Sequence, residues 1–393
     1  MQHAPAVSRV VGYAYPWDVI GDPGFADRVR SIDIAEVALA ASYHGTRAAT
    51  PLHPQHRFVN APHAALYRPV RPEIWAERSL QPVAASWVPA TDPFADAVDT
   101  LRANDIEVHA WVVLAHSSRI GSARPDLTVR NCFDDNYSYA LCVAHPEVRD
   151  YVTTLAREAV RDVDLTGVSV ESCGQLGAAH NGAHEKTDGA YGPAAQRLLS
   201  VCCCNRCRQS WTDAGLDGAE VVGRLRNALR RVQDGVNEND ATMDQLVGAE
   251  CSAVLLETRL AAQATTRADV LAGLRDLLPA GRITLHSHPD PWATGPSPAV
   301  TATASAQVDA VLVPAWVDAP ATREAIAAAR ELAPDPVSVG AYVTVLPPAD
   351  PDTIDEHVGA LIAAGADELH LYHLGLVNRE RLAVLGRLAS LKR

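Results

Sequence analysis

Gly167-Val168-Ser169-Val170-Glu171 is a short run of small and β-branched residues that ends on a lone acid. Its length and composition read as a strand buried on both faces, with a carboxyl at its end. Seven more runs of this kind recur along the chain: Val10 to Tyr15, Ile34 to Ser42, Ile106 to Leu114, Ile283 to His288, Ala310 to Val313, Val337 to Tyr342 and Glu368 to His373. Amphipathic stretches with helical spacing separate several of them, at Pro146 to Val163, Ala321 to Leu332, Thr353 to Ala364 and Arg379 to Leu391. Strand and helix in alternation predict a parallel sheet, and eight strands predict a closed α/β structure, a (β/α)8 TIM barrel. No glycine-rich dinucleotide fingerprint follows the first run, which disfavours an open doubly wound sheet.

Two connections are oversized. Residues 45–105 are rich in Pro and His and read as a long irregular loop. Residues 172–281 carry a cysteine cluster and then a helical stretch from Glu220 to Leu278, read as an insertion between strands four and five. The whole of 1–393 is expected to be one barrel domain.

The 393 residues are 48% hydrophobic, enough for a large core, and the formal net charge is -13. That balance argues against nucleic acid and against an anionic membrane surface as partners. No apolar run is long enough to span a bilayer, and no signal-peptide pattern is visible, so a cytoplasmic location is expected. An oligomer is compatible with all of this.

Barrel sites form at the C-terminal ends of the strands. Read that way, the mouth gathers Tyr15, Trp17, Tyr43, His44, His109, Trp111, Glu171, His286, His288, Trp316, Tyr342, Tyr372 and His373. Aromatic faces beside hydroxyls and imidazoles suit a ligand with C–H patches and many hydroxyls, such as a small carbohydrate. Glu171 is the sharpest candidate, since apolar walls raise a carboxyl's pKa towards the range of a general acid. His286 and His288 share a strand face at spacing two and are candidate ligands for a divalent metal together with Glu171 or His109. The stretch His180 to Lys186, with His184 and Glu185, reads as a loop over the site.

Cys202-Cys203-Cys204-Asn205-Arg206-Cys207 places four of eight cysteines in six positions. With no secretion signal, this reads as a metal knot. Thiols at 202, 204 and 207 can turn toward one Zn2+ and leave a tetrahedral corner for a distant residue, with Cys203 pointing away.

Upstream, Leu141-Cys142-Val143-Ala144-His145-Pro146-Glu147-Val148-Arg149-Asp150 opens a helix just before strand four. Together with the later C-x-C-x-x-C, this segment resembles the zinc-binding β-galactosidases of glycoside hydrolase family forty-two and related uncharacterised bacterial barrels. The resemblance covers about residues 130–210. It implies a structural zinc held by Cys142, Cys202, Cys204 and Cys207, and Glu171 as acid/base of a glycoside hydrolase-like enzyme. The chain departs from that pattern in two places. Val170 stands where those enzymes carry Asn, and the seventh run ends without a carboxylate. Asp134, Asp135, Glu36, Glu185 and Asp318 are the substitutes available for a second acid. Two other readings remain open: a metal-dependent sugar isomerase or lyase using Glu171 with His286 and His288, and a carbohydrate-binding barrel without catalysis.

Overall fold

The computed structural model describes residues 6–180, 185–187, 189–234 and 241–392. Eight strands form the barrel: β1 Arg9–Ala14, β2 Glu36–Tyr43, β3 Glu107–Val113, β4 Gly167–Glu171, β5 Arg282–His286, β6 Ala310–Pro314, β7 Ser338–Thr344 and β8 Glu368–Tyr372. Every neighbouring pair is parallel. The ring closes where β1 pairs with β8 (Arg9 opposite Glu368) and with β2 (Gly12 opposite Val37). Each expected run therefore lands on a strand, and the barrel is a (β/α)8 barrel.

Eight of the helices place the rest of the chain: α1 Pro93–Arg102, α2 Pro146–Val160, α3 Asn205–Asp213, α4 Gly218–Gln233, α5 Ala249–Leu277, α6 Pro320–Leu332, α7 Ile354–Ala363 and α8 Arg379–Ala389. Helix α2 illustrates the local logic. Pro146 occupies the first turn, where its missing N–H costs nothing. Val148, Tyr151, Val152, Leu155 and Ala159 then recur at helical spacing and are all buried.

The segment 45–105 is more ordered than a loop. It contains an antiparallel hairpin, Thr46–Ala49 with Phe58–Ala61, and a two-residue strand, Ala65–Leu66, that pairs antiparallel with the end of β2. It also contains α1, capped by the Asp92 carboxylate on the Ala95 N–H. Phe94, Ala97, Val98 and Leu101 bury its inner face. The cap and this spacing are the signals that the loop reading passed over.

Between β4 and β5 the chain runs through α3, α4 and α5. Helix α5 divides its work. Cys251 and Leu255, near its start, join Trp211, Val221, Leu225 and Leu229 in a second, smaller core. Val270, Leu271 and Leu274, near its end, belong to the barrel's own core. The second half of α5 thus covers the barrel as the crossover from β4 to β5. It is anchored by the buried Arg267 guanidinium, which donates to the Cys173 and Ala299 carbonyls at 2.9 and 2.7 Å.

Strand alternation fills the barrel axis with polar groups. In β8, Leu369 and Leu371 alternate with Glu368, His370 and Tyr372, and in β5 Ile283 and Leu285 alternate with Arg282, Thr284 and His286. Contacts between strands that are not neighbours, Arg282 of β5 with Glu368 of β8 and Tyr13 of β1 with Ser169 of β4, place the second set inside. At the base Arg9 pairs with Glu36 and Arg282 with Glu368, and His109 Nε2 lies 3.1 Å from Glu36 Oε2. Burial alone would raise both carboxyls, but the imidazole and guanidinium partners outweigh it and hold both below the ordinary range.

Gly167 makes this base possible. A methyl group there would collide with the Arg282 carbonyl oxygen and sit 2.6 Å from His109 Nδ1. Gly167→Ala is therefore expected to destabilise the protein by about 2–3 kcal/mol, as overpacking of a closed core does. A denaturant melt at unchanged m-value checks this.

Candidate active site at the barrel mouth

Glu171 is the last residue of β4, and the chain turns sharply after it. Ser172 adopts φ 56°, a left-handed conformation uncommon for a side chain other than glycine. The Ser172 N–H bonds to the Pro296 carbonyl at 2.8 Å, while its buried hydroxyl has no partner. Such local strain recurs where a side chain must be aimed.

Glu171 is only 6% exposed. Its Oε2 accepts the Trp111 indole N–H at 2.7 Å and lies 3.7 Å from His286 Nδ1. Burial raises its pKa from the ordinary 4.5 to about 7, and the Trp111 hydrogen bond offsets only part of that rise.

Aromatic rings pack around this carboxyl. Trp111 meets Tyr43 and Tyr13 edge to face, with centroids 4.6 and 4.9 Å apart. Tyr15 stacks on Trp17 at 4.3 Å and on His373 at 4.2 Å, and its hydroxyl lies 3.2 Å from that of Tyr372. Trp316 stacks on Tyr372 at 5.1 Å, and Tyr342 meets His286 at 5.1 Å. Tyr15, Trp17 and Trp111 are almost fully buried and form a floor. Trp316 and Tyr372 are partly exposed. The Trp316 indole N–H and the Tyr342 hydroxyl are buried without a hydrogen-bond partner. Unpaired polar atoms beside exposed aromatic faces are the features a hydroxyl-rich ligand would satisfy.

One residue expected at the mouth lies elsewhere, and a second is engaged by the backbone of the loop that follows its strand. His109 sits in the first half of β3, and its side chain bonds Glu36 at the opposite end of the barrel. His288 lies beyond β5, and its Nδ1 accepts the Asp290 backbone N–H at 3.1 Å. It does not converge with His286, whose Nε2 is engaged by Tyr13 and Ser169. The substitutes for a second acid are also committed. Glu36 is at the base, Asp134 contacts Arg130, Asp135 bonds Asn131, and Asp318 contacts Arg323. Glu185 lies 3.3 Å from His180, and His184 is outside the described residues.

Asp18, in the turn after β1, was not anticipated. One of its oxygens accepts the Tyr15 N–H at 2.8 Å and the other has no partner. His373 Nδ1 is 3.8 Å away, and Gly375 leaves the room that the carboxyl fills. Burial raises the Asp18 pKa to about 8, against the Tyr15 hydrogen bond. An acid three residues beyond a strand end was the available signal.

The cysteines converge as their spacing suggests. Cys142 Sγ lies 3.7 Å from the sulfurs of Cys202 and Cys207 and 3.8 Å from that of Cys204, and all four lie within 4.8 Å of one another. Four sulfurs at the usual Zn–S distance on a tetrahedron would be about 3.8 Å apart, so the donor set fits zinc. His145, the N-cap residue just before α2, brings Nε2 to 3.4 Å from Cys204. Cys203 turns the other way, into the second core, with its Sγ against the Val201 carbonyl. All eight cysteines are free thiols. Among the described residues no helix is long and apolar enough to cross a membrane.

No family model matches the sequence, and no curated protein matches it. Solved structures do share the fold. The α-L-fucosidase isoenzyme 2 of Paenibacillus thiaminolyticus superposes with a TM-score of 0.59 at 11% identity, over 98% of this chain and 49% of its own. A GH42 β-galactosidase from G. stearothermophilus gives 0.57 at 11%, over 99% and 57%. The PgaB (BpsB) glycoside hydrolase domain of Bordetella bronchiseptica gives 0.56 at 13%, over 98% of each chain. This chain spans only about half the length of the first two. Its backbone is thus shared with glycoside hydrolases, at identities that establish the barrel and nothing finer.

Proposed function

We propose that this protein is a glycoside hydrolase-like enzyme that acts on a small carbohydrate, with Glu171 as its general acid. The observation that carries the reading is a single one. A carboxyl at the end of β4 is held at a pKa of about 7, by burial, at the mouth of a barrel. A group so poised is half protonated at neutral pH. It can give its proton to a glycosidic oxygen and take one back from water. Trp316 and Tyr372 would stack on the C–H face of a sugar, and the Tyr342 hydroxyl and Trp316 N–H would bond its oxygens. Tyr15, Trp17, Trp111 and His373 would support them from below. His286 lies beneath Glu171 and would act on it rather than on substrate.

We infer that Cys142, Cys202, Cys204 and Cys207 hold a structural zinc. It would tie the start of α2 to α3, away from the chemistry. The free thiols fit a reducing compartment, which supports a cytoplasmic location. The isomerase reading loses its ligand set, because His288 does not converge with His286 and Glu171.

A panel of 4-nitrophenyl glycosides incubated with the protein between pH 5 and 8 tests the proposal. Release of nitrophenol from at least one sugar is expected. Silence across the panel, together with a metal-dependent aldose–ketose interconversion, would overturn it.

A further inference from the structure

A continuous polar chain runs up the barrel axis and ends beneath Glu171. Glu368 Oε2 lies 3.3 Å from His370 Nε2, and His370 Nδ1 lies 3.3 Å from the Tyr13 hydroxyl. The Tyr13 hydroxyl is 2.7 Å from Ser169 Oγ and 3.2 Å from His286 Nε2, and Ser169 Oγ is 2.9 Å from the same His286 nitrogen. His286 Nδ1 then faces Glu171. Tyr13, Ser169, His286, Glu368 and His370 are each at most 2% exposed. Barrel interiors are ordinarily packed with branched aliphatic side chains, and buried polar groups are costly unless each is satisfied.

The hydrogen-bond pattern assigns the protons in order, starting from the base. Glu368 is ionised, since Arg282 and Arg9 face it, so His370 Nε2 must donate to it. Burial, with His109 and Arg282 adding to it, keeps His370 neutral, so its buried Nδ1 is bare and takes the Tyr13 O–H, the donor within reach of it. The Tyr13 oxygen is then the acceptor for the Ser169 hydroxyl. With that proton spent, the Ser169 and Tyr13 oxygens can only accept from His286, which places its proton on Nε2.

We propose that Glu368, His370, Tyr13 and Ser169 are positioning residues that fix this tautomer of His286, so that its bare Nδ1 faces Glu171 and keeps Glu171 in the acid form. A ring lone pair and a carboxylate oxygen 3.7 Å apart repel, and protonating the carboxyl removes the charge. The titratable groups around Glu171 are otherwise phenols: Tyr13 from β1, Tyr43 from β2, Tyr342 from β7 and Tyr372 from β8, each neutral and pushed further from ionisation by burial. None supplies a positive charge. The proposal rests on the reading of Glu171 as the acid, but its test does not need turnover.

Two measurements test it. In 15N-histidine-labelled wild type, with His286→Gln identifying the ring, the His286 Nε2 resonance should be that of a protonated nitrogen and Nδ1 that of a bare one. The second follows the Trp111 indole N–H resonance, which reports the charge on its Glu171 acceptor, across pH 4 to 9. Tyr13→Phe frees the Ser169 hydroxyl to donate to His286 Nε2. The ring proton then moves to Nδ1 and binds the carboxylate, so the Trp111 midpoint should fall by one pH unit or more. Ser169→Ala leaves Tyr13 as acceptor and should move the midpoint far less. A wild-type proton on Nδ1, or equal midpoints in wild type and Tyr13→Phe, would overturn the proposal. Shifted midpoints in a protein that cleaves no glycoside would uphold it and sink the hydrolase reading instead.

Discussion

Glu171→Gln is expected to cost the enzyme about 10²- to 10⁴-fold in turnover, the usual contribution of a positioned general acid, and to make the protein more stable at alkaline pH. The second effect follows from the first. Burial raises the carboxyl from the ordinary 4.5 to about 7 in the folded chain. A raised carboxyl leaves stability intact below pH 4.5. It erodes stability as pH climbs toward 7, because the unfolded chain ionises freely and the folded one resists. At about 1.4 kcal/mol per pKa unit, the wild type at pH 8 forfeits up to about 3 kcal/mol that Gln does not. Glutamine has nearly the same shape. Its carbonyl can take the place of Oε2 and accept the Trp111 N–H, with no charge left to face His286. Melting temperatures of the two proteins should therefore nearly coincide at pH 4 and separate by several degrees at pH 8, with the variant higher. A gap that is the same at both pH values would mean that Glu171 is not held in its acid form. Unchanged glycoside cleavage would remove it from the chemistry.

The barrel was legible because parallel strands covered by helices must be apolar on their outer face, and eight such runs stand out in sequence. What the runs hid was their inner face. Read as apolar on both sides, β8 and β5 yield only their end residues as site candidates. Taken at a period of two, they also yield Glu368, His370 and Arg282, which line the axis. The same oversight put His109 at the mouth: it belongs to the strand that carries Trp111 near its end, but it stands four residues before that end. Glu171 was legible because an acid closing an apolar strand is conspicuous. Its support by Trp111 was not, since that contact joins residues 60 positions apart. Asp18 and Tyr13 escaped for a related reason. One lies past the end of its strand and the other inside it, and their distant neighbours, His373 for Asp18 and Ser169 for Tyr13, come only with closure of the ring. The three clustered cysteines declare themselves by spacing. The fourth came from resemblance alone, and the sulfur geometry now gives it an independent argument.

Protein purified without added metal is expected to carry about one zinc per chain, and Cys142→Ser or Cys204→Ser to lose it together with on the order of 5 kcal/mol of stability. The size follows from what the site joins. Cys142, Cys202 and Cys204 pack with the barrel's core, whereas Cys207, in the first turn of α3, packs against both cores. Without a metal, four thiols within 4.8 Å of one another, three of them buried, offer little beyond weak S–H contacts. With one, four thiolates are fixed at a single centre, and His145 Nε2 lies within hydrogen-bond reach of the Cys204 sulfur. Because thiolate is the ligating form, zinc should leave as pH falls, and stability with it. Cys203→Ser provides the control: it disturbs the second core, where Cys203 is buried, yet should retain the metal in full. Both losses should fall on the melting temperature more than on the rate at low temperature, since Glu171 is not among the ligands. If Cys203→Ser shed zinc as readily as Cys142→Ser, the metal would not be sitting among these four sulfurs. If chelation removed a full equivalent without lowering the melting temperature, it would not be holding the two cores together.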